Sequence, residues 1–219
     1  ASDLRVLASF EEAPNVSFFE NLISSEEDFT CDQCPRSGLR GVVDRALLFD
    51  GLNDHLVGPT FNLTGGTTIA AWVKADRGTI AVIDDEIILE FDGLRVIQDD
   101  GDYTRTGFTL PENEWAHIAA TYDRATGAMA VYVDGVLVGT ATGDDNKDGR
   151  NLYVGSNEFF NNVLNGYLDD LRVYNAVLSA ADVQTLFETS APVLRFEFDE
   201  DSSATTFADS SPNGFIGVP

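Results

Sequence analysis

Short runs of alternating apolar and polar residues, each closed by a turn rich in Asp or Gly, recur along most of this chain. Thr67–Lys74 puts Ile69, Ala71 and Val73 on one face and Trp72 on the other. Thr79–Ile83, Ile87–Phe91, Leu94–Gln98, Trp115–Tyr122, Ala128–Val133, Val136–Ala141, Asn151–Val154 and Leu168–Tyr174 follow in the same manner. A period of two is the signature of half-buried strands. Strands spaced by about 8–12 residues with Gly/Asp turns build an all-β sandwich. Asp134-Gly135 reads as a two-residue hairpin loop. Leu4–Glu11 reads as an opening strand, and the polar stretch from there through Asp28 as loop. Asp50-Gly51, between the apolar run Ala46–Phe49 and a strand restarting at Leu56, reads as a tight turn because Gly tolerates positive φ. One helix is expected, Ala180–Phe187, with Ser179 as its cap and Asp182 completing a capping-box-like pair.

The chain has 219 residues, 43% of them hydrophobic, with 15 Phe and 6 Tyr, which suffices for a sizeable core. Its formal net charge is −24. That excludes nucleic acid and anionic membrane surfaces as expected partners, since both require Lys and Arg to neutralise phosphates. It suits divalent cations and an extracellular or high-salt setting. No run of about 18 apolar residues occurs, so membrane insertion is not expected. No signal peptide is visible and the chain starts at Ala1, so the sequence reads as processed or excised from a longer protein.

Cys31-Asp-Gln-Cys34-Pro35 contains the only two cysteines. One such motif cannot supply four zinc ligands, and His55 and His117 lack zinc-finger spacing to it. Pro35 and Gly38 follow where a redox motif needs a helix. A local disulfide between Cys31 and Cys34 is therefore expected, which favours an oxidising compartment. Asp50, Asn53 and Asp54 crowd three oxygen-bearing side chains into five residues, satisfied either by solvent or by a hard cation. In Asp144-Asp-Asn146-Lys-Asp148-Gly149 the spacing puts alternate oxygens on one side of a tight loop. The Glu expected at the twelfth position is absent, so a weak calcium loop and a solvated acidic hairpin both remain open. Two His and two distant Cys offer no Ser/His/Asp or Cys/His arrangement, and no phosphate loop appears. Trp72 and Trp115 read as core. Phe159-Phe160, with amides beside them, would suit sugar stacking, although burial against the sandwich rim is the expectation.

Ala46–Leu56, Thr68–Lys74, Trp115–Asp123, Tyr132–Gly135 and Gly166–Ser179 occur in an order that resembles the laminin G-like, concanavalin A-like jelly-roll modules of large bacterial surface and secreted proteins, distant relatives of pentraxins. The lead-in Cys34-Pro-x-x-Gly-x-x-Gly41 is similar to that group as well. The resemblance covers residues 4–190 and implies a two-sheet antiparallel jelly roll with one short C-terminal helix. It implies a structural Ca2+ joining the first strand to the last, held by Glu11 and Asp169, with the Asp50/Asn53/Asp54 turn as a third contributor. By the pentraxin pattern, Asp84 and Asp85 with Asn157 and Glu158 would hold ligand-bridging Ca2+, although the first acid of the second element is missing. Laminarinase-type glycosidases of the same sandwich class carry Glu-x-Asp-x-Glu on one strand face. Here Glu86 and Glu90 keep the ends and Ile88 replaces the middle Asp, so hydrolysis is not expected.

Val193–Glu200 resembles Val6–Glu12, and Pro212–Val218 resembles Arg36–Val42. A repeat of the opening at a period of roughly 180–190 residues marks a tandem array. Residues 1–190 are therefore expected to form one laminin G-like β-sandwich. Residues 191–219 would be a linker and the opening of a following repeat, or an added strand paired with a sheet. The expected function is that of a non-catalytic, calcium-binding recognition or adhesion module of a larger exported protein, secreted or displayed on the cell surface. Its expected partners are a glycan or cell-surface protein, neighbouring repeats, and another copy joined head to tail. The alternatives are a spacer repeat with structural calcium alone and a degenerate glycoside hydrolase relative.

Overall fold

A computed structural model of the chain describes residues 3–23, 27–60, 65–83, 87–97, 103–143, 151–157, 159–191, 207–208 and 216–217. In chain order the strands are β1 (Leu4–Ala8), β2 (Phe18–Phe19), β3 (Phe29–Thr30), β4 (Arg36–Arg40), β5 (Arg45–Asp50), β6 (Leu56–Thr60), β7 (Thr67–Arg77), β8 (Thr79–Ile83) and β9 (Ile87–Glu90). They continue as β10 (Gly93–Ile97), β11 (Tyr103–Gly107), β12 (Ala116–Asp123), β13 (Ala128–Val133), β14 (Val136–Thr142), β15 (Asn151–Val154) and β16 (Asn165–Tyr174). Helix α1 (Ala180–Ser190) follows, then β17 (Phe207–Ala208) and β18 (Ile216–Gly217).

Two eight-stranded antiparallel sheets face one another. The first runs β14-β13-β12-β7-β16-β5-β4, with β1 also on β16, and the second runs β11-β10-β9-β8-β15-β6-β3-β2. Alternation decides which side chains meet between them. Phe49, Ile69, Ala71 and Val73 from the first sheet share one buried cluster with Leu56, Ile80, Ile83 and Leu89 from the second. Each such side chain contributes roughly 1.5–3 kcal/mol when fully buried. The outer face of the first sheet is covered by α1. Val183 and Leu186 pack on Ala70, Ala119 and Tyr132, and Phe187 packs on Trp72. The Trp72 indole N–H donates to Ser190 Oγ at 3.2 Å, which satisfies its one polar atom in a buried place. Ser179 and Asp182 cap the helix reciprocally, as their spacing requires.

The expectation of a core Trp115 needs correction, whereas Asp50-Gly51 turns the chain as expected, with Gly51 at φ 73°, and β5 and β6 do not pair. They lie in different sheets, so the turn crosses the sandwich and closes no hairpin. Trp115 precedes β12 and is only half-buried, beside Tyr167. In the C-terminal segment, Val193–Glu200 lies outside the described residues. Phe207–Ala208 pairs with Ile216–Gly217 in a two-stranded sheet of its own, and neither main sheet includes them.

Gly155 shows how tightly the two layers fit. Its φ is +79°, and a Cβ there would stand 2.0 Å from Phe49 Cε1. Gly155→Ala therefore combines backbone strain with overpacking, and we expect a loss of about 3 kcal/mol in urea unfolding followed by tryptophan fluorescence. A loss below about 0.5 kcal/mol would mean that the Phe49 ring yields freely.

Candidate functional site

The site grows from a seam on β16. Along one edge, β5 pairs with its first half, Asn165 opposite Asp50 through Leu168 opposite Leu47. On the second half β1 takes over, Ala8 opposite Leu171 through Leu4 opposite Tyr174. Asp169 and Asp170 fall between, claimed by neither strand. The chain bulges there against β7, and Asp170 adopts φ 48°. Two further segments converge on this gap. The chain leaving β1 passes through Phe10, also at positive φ (57°), to Glu11. The chain entering β5 arrives through a turn closed by the Gly41 N–H on Asp44 O at 3.0 Å.

Carboxylates hold these pieces together. Asp169 Oδ2 accepts the Val42 and Val43 N–H groups at 2.8 and 2.9 Å. Glu11 Oε2 accepts the Arg45 N–H at 3.1 Å, and the Arg45 guanidinium donates to Glu11 O at 2.9 Å. Gly41 is required by this approach, because a Cβ there would stand 2.4 Å from Asp169 Oδ2. The other oxygen of each carboxylate, Asp169 Oδ1 and Glu11 Oε1, is buried without a hydrogen-bond partner. Burial is the largest influence on Asp169. With the negative charges of Asp170 and Glu11 it outweighs the two N–H bonds and pushes the carboxyl up to about 7. Burial also raises Glu11, with Asp44 adding to it. Asp170 is neutralised by Arg172, whose Nη2 donates at 2.8 Å. Two orphaned, buried oxygens on carboxylates close enough to influence one another's charge are candidate donors for a hard cation. Among the described residues, no three His, Cys, Asp or Glu side chains gather closely enough to hold a metal unaided. Backbone carbonyls and water would have to complete the shell.

The Asp50 turn does not contribute to this seam. Asp50 and Arg45 are at opposite ends of β5, about 17 Å apart at strand rise. The turn is also internally satisfied. Asp50 Oδ1 accepts the Leu52 and Asn53 N–H groups, Asp54 Oδ2 accepts the Asp50 N–H at 2.8 Å, and Asn53 Nδ2 donates to Gln33 Oε1. Asp84, Asp85, Asp144, Asn146, Asp148 and Glu158 lie outside the described residues. Asn157 is described. Its Oδ1 already accepts two backbone N–H groups, from Phe159 and Asn161 at 3.1 and 3.0 Å.

The glycosidase-like row is also committed elsewhere. Glu86 lies outside the described residues, and Ile88 is buried on the same strand face as Glu90. Glu90 is buried, pairs with Arg95 and accepts the Asn162 amide at 2.7 Å. His117, edge-on to Trp72 and tilted against Phe187, is pushed down to about 3, chiefly by burial. Cys31 and Cys34 form the expected disulfide, Cα to Cα 5.1 Å.

Phe159 and Phe160 overturn the expectation of burial, with 72% and 47% of their surface exposed. The amides flanking them in sequence were the available signal. The signal missed was that Asn157, by capping the loop, turns both rings outward.

A family model described as the concanavalin A-like lectin/glucanases superfamily, of the laminin G type, matches residues 50–184, more than half of the chain. No curated protein sequence matches. Among solved structures, the binding domain of botulinum neurotoxin DC in complex with rat synaptotagmin II is similar with TM-score 0.69 and 12% identity, covering 91% of this chain and 55% of that one. The same toxin domain in complex with SialylT gives TM-score 0.65 and 13% identity, covering 88% and 52%. The binding domain of Paraclostridial Mosquitocidal Protein 1 gives 0.65 and 15%, covering 94% and 58%. This chain thus spans less than two thirds of each, and likeness at such identity shows shared fold.

The raised carboxyls fix a pH response. In the metal-free protein, folded Asp169 keeps its proton up to about 7, whereas the unfolded chain releases it near the ordinary aspartate value of 3.8. Between those values the native state binds more protons. This contribution to stability is full at acid pH and is lost as pH rises through 7. Stability in EDTA should therefore fall from pH 5 to pH 8. Asp169→Asn, which keeps an acceptor for Val42 and Val43, should flatten that slope and be more stable than wild type at pH 8 by about 1–3 kcal/mol. An unchanged slope in the variant would remove Asp169 from the seam's energetics.

Proposed function

The chain belongs to the concanavalin A-like lectin/glucanases superfamily, as a laminin G-type module, and from that premise we propose that it is a non-catalytic, calcium-binding recognition module of a larger exported protein. Its ligand is a glycan or a cell-surface protein. The observation that carries the calcium reading is the pair of orphaned oxygens at the seam, Glu11 Oε1 and Asp169 Oδ1. A bound cation satisfies both and relieves the mutual repulsion of Glu11, Asp169 and Asp170. Hard oxygen donors with no soft ligand favour Ca2+. The recognition reading draws on the toxin binding domains of like fold, one solved with rat synaptotagmin II and one with SialylT. Against hydrolysis stand Ile88, where the pattern places an assisting Asp between its two end carboxylates, and the engagement of Glu90 by Arg95 and Asn162. No helix among the described residues is long and apolar enough to cross a membrane. The disulfide favours export to an oxidising compartment.

Extracellular-type sites bind Ca2+ with Kd of about 10⁻⁴–10⁻³ M. At about 1 mM ion and a Kd of about 0.1 mM the seam gains about 1.4 kcal/mol. The melting temperature should rise by about 2–4 °C on adding calcium. The rise should be larger at pH 8 than at pH 6, because binding requires the deprotonated carboxylates. Glu11→Gln and Asp169→Asn should each abolish it. A melting curve indifferent to Ca2+ and EDTA at both pH values would end the calcium reading. A glycan array and a cell-binding assay test recognition, and a chain that binds calcium but is silent in both is a structural spacer.

A further inference from the structure

Three loops meet at the end of the sandwich opposite the seam. The disulfide loop 31–34 touches the 50–55 turn through the His55 N–H on Gln33 O at 3.0 Å and the Asn53 amide on Gln33 Oε1 at 3.1 Å. That turn touches loop 155–164 through the Gly51 N–H on Leu164 O at 3.0 Å and the His55 ring, 4.2 Å from the Phe160 ring centroid to centroid. Loop 155–164 is a built object. Its neck is closed by the Leu164 N–H on Gly155 O at 2.8 Å, and its interior is organised by Asn157. The Asn157 side chain accepts two backbone N–H groups and donates to Asn161 Oδ1, while its carbonyl accepts the Phe160 N–H at 2.9 Å. Phe160 is held at φ 55°, a conformation costly for an aromatic residue.

This construction buttresses one ring and presents the other. Phe160 leans on His55 and, edge to face at 6.1 Å, on Tyr153. Phe159 stands beside it, 72% exposed. The three loops also contribute the exposed amides of Gln33, Asn53 and Asn161 and the exposed carboxylates of Asp32 and Asp50. Leu52, 77% exposed, tips the adjoining turn. A flat apolar face bordered by amides fits the mixed surface of a pyranose, with C–H groups on one face and hydroxyls at the edge. The surrounding charge of −24 opposes an anionic ligand.

We propose that the loop end formed by 31–34, 50–55 and 155–164 is a binding site for a neutral, uncharged saccharide, with Phe159 as its stacking surface. This deepens the recognition reading of the preceding section and rests on it. The site is independent of the seam, because β5 separates the two by about 17 Å. Saccharide binding accordingly survives calcium removal wherever the fold survives.

The test uses the intact chain on an array of neutral and sialylated oligosaccharides, with Phe159→Ala and Phe159→Trp beside wild type, in Ca2+ and in EDTA below the melting temperature. The expected result is binding of neutral glycans by wild type in both conditions. Phe159→Ala should weaken it about tenfold or more with an unchanged melting temperature, and Phe159→Trp should retain it. Wild-type binding that Phe159→Ala leaves intact would overturn the site and spare the recognition reading. An array silent for wild type would fail the glycan form of that reading and this site with it. Binding of sialylated glycans alone, of uncharged phosphatidylcholine vesicles in place of glycans, or binding lost in EDTA with the fold intact would each overturn the proposal.

Discussion

Two strands share one edge of β16, and the gap between them is closed by carboxylates. Backbone N–H groups at a strand junction must be satisfied by something. Here Asp169 takes Val42 and Val43, and Glu11 takes Arg45. The segment after the N-terminal strand, the 41–45 turn and the last strand are joined through these bonds, alongside the apolar contacts of Val6, Phe10 and Leu171. An apolar residue at 169 would orphan two amides, and a longer side chain would not fit against Gly41. The arrangement leaves a buried acid facing two others, which is tolerable when the proton stays on, or when a cation replaces it. The need for the amides and the cost of the charge thus meet in a single side chain.

Most of the fold was legible because it depends on local rules. The bounds of Thr79–Ile83, Ala128–Val133 and Asn151–Val154 match the observed strands, since turn residues and alternation agree there. The helix was legible from Ser179 and Asp182, and the disulfide from two cysteines with nothing else to serve. What escaped has physical reasons. Arg36–Arg40 is a strand whose sequence carries two Arg and a Gly, because it is an edge and needs little burial. Tyr103–Gly107 is likewise an edge, polar and short. The Asp50-Gly51 signal specifies a reversal but not whether the next strand pairs or crosses to the other layer. Glu11 and Asp169 came from a resemblance, since no local pattern links residues so far apart in sequence. The loop-organising role of Asn157 was not legible, because only the folded backbone shows that its amide accepts two N–H groups and donates to Asn161.

The same carboxylate that a glycosidase pattern would put to work has acquired another role. Glu90 lies on the outer face of β9, where a catalytic acid would face a sugar. It accepts from Arg95 and from the Asn162 amide. Asn162 also donates to Thr79 Oγ1 at 3.1 Å and accepts the Thr79 N–H through its carbonyl at 2.8 Å. Glu90 is therefore an anchor for the neck of loop 155–164. Both of its contacts, with Arg95 and Asn162, fall on one oxygen, Oε1. With Ile88 beside it where the pattern places its middle Asp, this strand face supports the loop that carries the aromatic rings. Glu90 and Asn162 thus tie β9 and Thr79 to the end of the aromatic loop through side-chain and backbone hydrogen bonds that cost the strand none of its pairing.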